Sequence, residues 1–475
     1  MKIALFLFCF LSHVALAQSV HNRTTGVNYT DLVSCFAALR DGQTNVLIEI
    51  DGPLVATSVA TLNKSISGLT IRGVSGQQTL DCNGLDSFMA FNGTGKTLTT
   101  ITVDNVRIIN SNASINTSSA LRYTTVKGDN CLRRITFNNC SVPVRATTNC
   151  GSFVVEDCIA RNYTLGVFRF GLGSQTGVPP GVQDMGAMIF RRCQFYADQN
   201  NSTEADLMLK RMPSLLVEDC TFNYPSKYAI SVYDPAAGCQ TIIRRCLFVG
   251  SHAKAATGGT VDLTPNTTTG QGTTEKLLVE SCVFDGDKGQ AVQQTKGGEV
   301  RLHNNVFIEG AGNTTNLVSL TGGKNFLDHF GNIYVANSTN MNALVNIGTM
   351  TYDSDQLRSD YNLYYKVTSR GIFQGTTTGG SDPRAVSGAA LVQLQAKGYD
   401  THGLNAKPIF NTTDKKKSRY YLAVSSPGQN GGNPSFPPSQ SPVGGGLVGS
   451  TYDMGPLDLK SYRYRTGRYR IVKDN

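Results

Sequence analysis

Tryptophan is absent from this 475-residue chain. That removes the side chain best suited to stacking on sugar faces and leaves tyrosine to substitute wherever a sugar is held. No cysteines are spaced as in zinc fingers or ribbons. His252, His329 and His402 fall at no spacing that builds a metal site or a triad, and each is expected to be structural. There is neither a Ser-His-Asp arrangement nor a phosphate-binding glycine loop. Beyond residue 17 no uninterrupted apolar run approaches the roughly 18 residues that a membrane-spanning helix requires. Helical patterning is confined to two short stretches. These absences turn attention to short strands.

What is present is a repeated phrase ending in cysteine. It reads RITFNNC at Cys140, FVVEDC at Cys158, MIFRRC at Cys193, LLVEDC at Cys220, TIIRRC at Cys246 and LLVESC at Cys282. ITVDNV (to Val106) and VRLHNN (to Asn305) extend the series, and NIYV and DYNLYY echo it further on. Apolar residues lie five and three places before the last position. Another usually lies two after it, as at Phe195, Phe222, Phe248, Phe284 and Phe307. Alternation of this kind places side chains on opposite faces of a strand. The phrase recurs at intervals from 18 residues (Cys140 to Cys158) to 36 (Cys246 to Cys282), the range of stacked repeats that cannot bury an apolar face alone. The fold class is therefore all-β: a parallel β-solenoid.

The two residues before each phrase end carry charge. From Glu156-Asp157 onward the sign alternates, through Arg191-Arg192, Glu218-Asp219 and Arg244-Arg245 to Glu280-Ser281. With coils about 4.8 Å apart, acid would lie over base. That is register control, not chemistry. The cysteines fall at inward parity and should form a packed column. Eleven remain outside the leader, an odd number. Cys131 with Cys150, and Cys35 with Cys82, are the expected disulfides.

Lys2 followed by IALFLFCFLSHVALA reads as a secretory signal cleaved after Ala17. The expected product is secreted and extracellular, without a membrane span, and acts as a single chain. The chain carries 14 Asn-X-Ser/Thr acceptors, a density that suggests a glycosylated surface. Those expected to be used are Asn22, Asn28, Asn63, Asn92, Asn112, Asn116, Asn162, Asn201, Asn266, Asn313, Asn337 and Asn411. The chain divides into a signal (1–17), an N-terminal cap (18–68), the parallel β-helix (69–385), and a C-terminal helix, wrapping segment and basic tail (386–475). TDLVSCFAALRDG over 30–42 reads as a short amphipathic helix capped by Thr30 or Asp31, with Leu32, Cys35, Phe36 and Leu39 as its apolar face. GAALVQLQAKG over 388–398 reads as the second. Net charge is +9, and residues 460–475 hold five of those excess charges, with Tyr462, Tyr464 and Tyr469 among the arginines. A tail of this kind suits a polyanion. Outside the cell that means acidic polysaccharide, not nucleic acid.

The phrase, the cap and the mature length resemble the right-handed parallel β-helix (pectate lyase-like) superfamily. SDYNLYY, ALVQLQAKGYDTHGLNAKPIF, YYLAVSSPGQNGG and DMGPLD resemble a pattern of secreted β-helix proteins of carbohydrate metabolism. The stretch from GVFRFG through MIFRRCQFYADQNNSTEADLMLKRMPSLLVEDCTFN to YAISVYDPA is similar to the core of the chondroitinase B and alginate lyase family. That resemblance implies calcium held by Glu204 and Asp206, with a basic residue at Lys210 or Arg211. Tyr233 stands where the family has an arginine.

The chemistry can be stated from the residues. Elimination on a uronate needs the carboxylate neutralised, the C5 proton removed and the O4 leaving group protonated. Calcium on Glu204 and Asp206 would meet the carboxylate. Lys210, its pKa lowered by cations such as Arg211, would take the proton, and Tyr233 would supply the acid. If Phe168 and Phe170 point inward, Arg169 points out on the same sheet, and Val144 and Ala146 orient Arg145 likewise. Those two arginines would line a groove running along the coils. The expected activity is binding of an acidic extracellular polysaccharide, with β-elimination as the reaction if the protein is an enzyme. The alternative is a non-catalytic matrix, wall or surface glycoprotein that uses the solenoid as a rod.

Overall fold

The computed structural model describes residues 19–427 apart from 113–118, 148, 172–184, 198–204, 226–227, 251–258, 265–274, 288, 296–297, 311–312, 314, 322–324, 337–342, 349–355, 366–370, 376–389, 411–421 and 423–424. Every third strand pairs with its neighbour, giving three long sheets of 14, 13 and 12 strands, here sheets A, B and C. From Gln43–Ile50 onward all pairings between coils are parallel. Among the described strands, only the first hairpin, Val20–Asn22 with Val27–Tyr29, is antiparallel to its neighbours. The chain is a parallel β-solenoid, and stacking already starts at Gln43–Ile50, upstream of the expected residue 69.

Alternation fills the interior. Phe195, Phe222, Phe248, Phe284, Phe307, Tyr334 and Tyr364 form one buried file with ring centroids 4.7–5.7 Å apart. That spacing is the rise from coil to coil. Cys158, Cys193, Cys220, Cys246 and Cys282 form a second buried file at the A-to-B corner. The Cys193 amide donates to Cys220 Sγ (3.4 Å), and the Cys246 amide donates to Cys282 Sγ (3.5 Å). The file continues as asparagine. Asn305, Asn332 and Asn362 each accept the preceding coil's amide at Oδ1, at 2.9–3.1 Å.

Cys140 does not belong to this file. It ends the sheet B strand Thr136–Cys140, opposite Ser111, and the corner position in its coil is taken by Ile135. A period of two cannot tell one strand of a coil from the next, so RITFNNC matched the phrase one strand too late. With Arg133-Arg134 restored to the slot, the charge alternation lengthens. It runs Glu49, Arg72, Asp104, Arg133, Glu156, Arg191, Glu218, Arg244, Glu280, each in register with the next. The following residue turns the corner in the left-handed conformation, with φ of 53–57° from Asn105 to Asn304. Asn and Asp tolerate that region; an arginine there carries about 1–2 kcal/mol of strain. Ion pairs offset it: Arg192 reaches Asp157 at 2.7 Å, and Arg245 reaches both Glu218 and Asp219 at 2.9 Å.

The expected disulfides do not form. All cysteines from Cys35 to Cys282 carry unbridged sulfur. Register puts Ser152 opposite Asp129, so Cys150 lies four places from the level of Cys131, and its sulfur faces the Tyr123 carbonyl instead. Cys35 lies on the helix Leu32–Ala38, whereas Cys82 follows a sheet B strand beside Cys140. Burial pushes the Cys35 thiol up to about 12 and that of Cys140 to about 11, so both stay protonated. Asn28, Asn63, Asn112 and Asn162 are exposed, and Asn92 is half-buried. Asn22 and Asn313, however, are buried, and their amides are committed to Thr24 and Thr25, and to Gly289 and Thr315. A glycan has no room at either. Asn116, Asn201, Asn266, Asn337 and Asn411 lie outside the described residues.

The helix Leu32–Ala38 begins at Asp31, whose carboxylate accepts the Ser34 amide at 2.7 Å, and buries Leu32, Cys35 and Phe36. It ends at Leu39, short of Gly42. The second helix, Leu391–Ala396, leads to a buried knot. There Asp400 accepts from Ser359 (2.5 Å), Asn362 (2.7 Å) and Tyr364 (2.9 Å), and His329 contacts Ser359 and Tyr334. Burial raises Asp400 to about 6, opposed by those three donors. A raised acid gives stability that is whole below about pH 4 and lost as pH climbs through 6, here about 3 kcal/mol. Hydrogen-exchange protection of the Asp400 amide, which donates to Ser359 O, should therefore fall between pH 4 and 7. Asp400→Asn should flatten that slope. Further on, Leu422 packs with Val283, Val306, Ile333 and Leu363 on the outer face of sheet B. Phe410 bridges Leu422, so this part of the C-terminal segment wraps the solenoid.

Candidate functional site

Sheet C presents a different outer face. The strands Leu121–Thr124, Val144–Ala146, Phe168–Phe170 and Ala205–Lys210 are neighbours, and Arg122, Arg145, Arg169 and Met208 share one register row. Val144, Ala146, Phe168 and Phe170 are fully buried, so the residue between each pair faces outward, as alternation requires. Three guanidiniums are thus stacked on successive coils. The row also includes Arg122, in addition to the pair expected from sequence. Its flanks, Leu121 and Tyr123, repeat the same buried-outward-buried signal.

Arg145 is largely buried, and burial, then Arg169, then Arg122 lower its pKa. Arg169 is anchored by donating from Nη1 to Leu165 O at 3.1 Å.

Lys210 closes the same strand, directly opposite Tyr233. Its ammonium lies 4.4 Å above the Tyr233 ring, and Tyr233 is 44% exposed. Burial lowers the Lys210 pKa; Arg211 and Arg169 lower it further, and Asp234 opposes them. The approach is close: a Cβ on Gly171 (φ 74°) would come within 2.6 Å of Lys210 O. Arg211 takes the left-handed corner after the strand and pairs with Asp234, one coil on, at 3.4 Å. It stands beside Lys210 and not in the outward row.

The acidic pair fares otherwise. Glu204 lies outside the described residues. Asp206 is fully buried, and neither carboxylate oxygen has a hydrogen bond among the described residues. Burial raises its pKa well above the carboxylate range, with Tyr163 beside it. A buried acid in such a place would suit a cation. Yet among the described residues no group of three His, Cys, Asp or Glu side chains could hold one. Asp206 alone does not make the oxygen shell that calcium requires.

No family model matches the chain, and no curated protein matches it. Solved structures similar to it include three lyases. They are the complex of alginate lyase AlyF-OU02 with G6 (12% identity, 66% of this chain and 84% of that one, TM-score 0.29), pectate lyase Pel9A (10%, 90% and 90%, 0.36) and a PL6 alginate lyase with a trisaccharide (10%, 83% and 88%, 0.34). The fold is a parallel β-helix. At these identities and scores the likenesses say nothing of activity. Among the described residues no helix is long and apolar enough to cross a membrane.

Proposed function

We propose that the outer face of sheet C binds an acidic extracellular polysaccharide, its anionic groups lying against Arg122, Arg145 and Arg169. The carrying observation is the contrast between two sheets of one molecule. On sheet A each base is stacked between acids, whereas on sheet C arginine follows arginine for three coils. Three bases in one row give an anionic polymer lying along the coils a run of positive charge to follow. The signal-like leader over residues 1–17 supports secretion, where such polymers are found. Titration against a panel of polyuronates and sulfated glycans tests this. Arg145→Ser and Arg169→Ser should each cost roughly 10-fold in affinity, and more together. Equal binding by wild type and the double variant would refute it.

Lys210 and Tyr233 support elimination at this groove. Neutral Lys210 Nζ would take the C5 proton, and the Tyr233 hydroxyl would protonate O4 as the C4–O4 bond breaks and C4=C5 forms. Arg211 and Arg169 serve by keeping Lys210 easier to deprotonate. Ultraviolet absorbance of the unsaturated product should be abolished in Lys210→Met while binding changes little. Binding without product in wild type, on a broad panel, would leave a binding protein or rod.

A further inference from the structure

The middle residue of each apolar triplet in the repeated phrases faces away from the core. Val154, Ile189, Leu216, Ile242 and Leu278 stand in one register row on the outside of sheet A, each half-buried. Above and below, the row changes character: Thr102 and Cys131 precede it, and Arg301, Asp328 and Arg358 follow. The aliphatic part spans five coils, about 20 Å. Strands that read as unbroken apolar runs belong to sheets covered on both faces, and an apolar stripe of this length marks an interaction surface.

We infer that this stripe is the contact face between two copies of the chain. The charge ladder at its edge selects that occupant. Glu156, Arg191, Glu218, Arg244 and Glu280 alternate strictly and flank the stripe coil by coil. Neither a polyanion nor the basic end of this chain finds a field of one sign there. A second copy does find a match. A two-fold axis midway between Leu216 and Ile242 lays Leu216 on Ile242 of the second copy and Ile189 on its Leu278. The same operation sets Glu218 against Arg244 and Arg191 against Glu280 of the second copy. Such an interface is isologous, closed and complementary in charge. It departs from the single chain expected from sequence, which weighed the outward residues of these strands only for charge.

Sedimentation equilibrium of the purified full chain over a wide concentration range tests the inference. The expected result is a reversible dimer that loosens as salt is raised. Leu216→Ser and Ile242→Ser should each raise the dissociation constant at least 10-fold, with unchanged circular dichroism and unchanged polysaccharide binding at sheet C. Wild type that stays monomeric at the highest concentrations overturns the proposal. So does a dimer indifferent to both substitutions and to salt. Because the contact is on sheet A and the proposed ligand on sheet C, either reading can fail without the other.

Discussion

Phe248→Ala should destabilise the solenoid by about 3–5 kcal/mol, seen as a lowered midpoint in guanidinium unfolding. Phe248 is fully buried and stacks on Phe222 at 4.9 Å and on Phe284 at 4.7 Å, with rings nearly parallel. Alanine removes both contacts at once. The backbone of sheet B cannot close the void, because hydrogen bonding to the coils on either side fixes its rise. Each coil rests only on its neighbours, so the loss falls on one junction. The unfolding transition should accordingly split or broaden, the two ends of the chain melting apart. Phe248→Leu, which keeps most of the volume, should cost less than half as much and preserve a single transition. An unchanged midpoint for Phe248→Ala would mean that the aromatic file is not a supporting column.

The strands, their stacking and the inward file of cysteines were legible in the sequence because alternation and corner chemistry repeat at one place in each coil. Cys158 to Cys282, and the phenylalanine two places after each of the last four, fall where the phrase puts them. Misplacement came where that signal is degenerate. RITFNNC obeys the same period of two on the next sheet, and only pairing register separates Ile135 from Cys140. The disulfides failed because spacing along the chain does not fix level along the solenoid. Outward arginines were recoverable from their buried flanks, Arg122 included. Asp206 was not: parity with Lys210 puts it on the outer face, but its place at the B-to-C corner beside Tyr163 leaves it without solvent.

Glu218→Ala should cost about 2–3 kcal/mol, and Glu218→Arg more. The carboxylate accepts from Arg191 (2.6 Å), Arg244 (2.8 Å) and Arg245 (2.9 Å) and is only 7% exposed. Removing it takes the nearest carboxylate from Arg191 and Arg244, while Arg245 keeps Asp219 and Arg191 keeps Glu156 at 3.5 Å. Breaking a buried pair costs about 3–5 kcal/mol, and the half-exposure of Arg191 and Arg244 discounts that figure. Burial pushes the Glu218 pKa up, but Arg244 and Arg191 outweigh it and hold the group below its usual range. A depressed acid gives stability that is present above its unfolded value and lost as pH falls through its folded one. The gap between wild type and Glu218→Gln should therefore be full at neutral pH and close in acid. Glu218→Arg makes on sheet A the run of three stacked bases that sheet C carries natively at Arg122, Arg145 and Arg169. On sheet C the ligand is proposed to supply the negative charge that the acids supply on sheet A. A bound polyuronate should then raise the melting temperature of wild type and not that of Arg145→Ser/Arg169→Ser. A ligand that binds wild type tightly yet leaves its melting point where it was would break the link between the stacked arginines and the polymer.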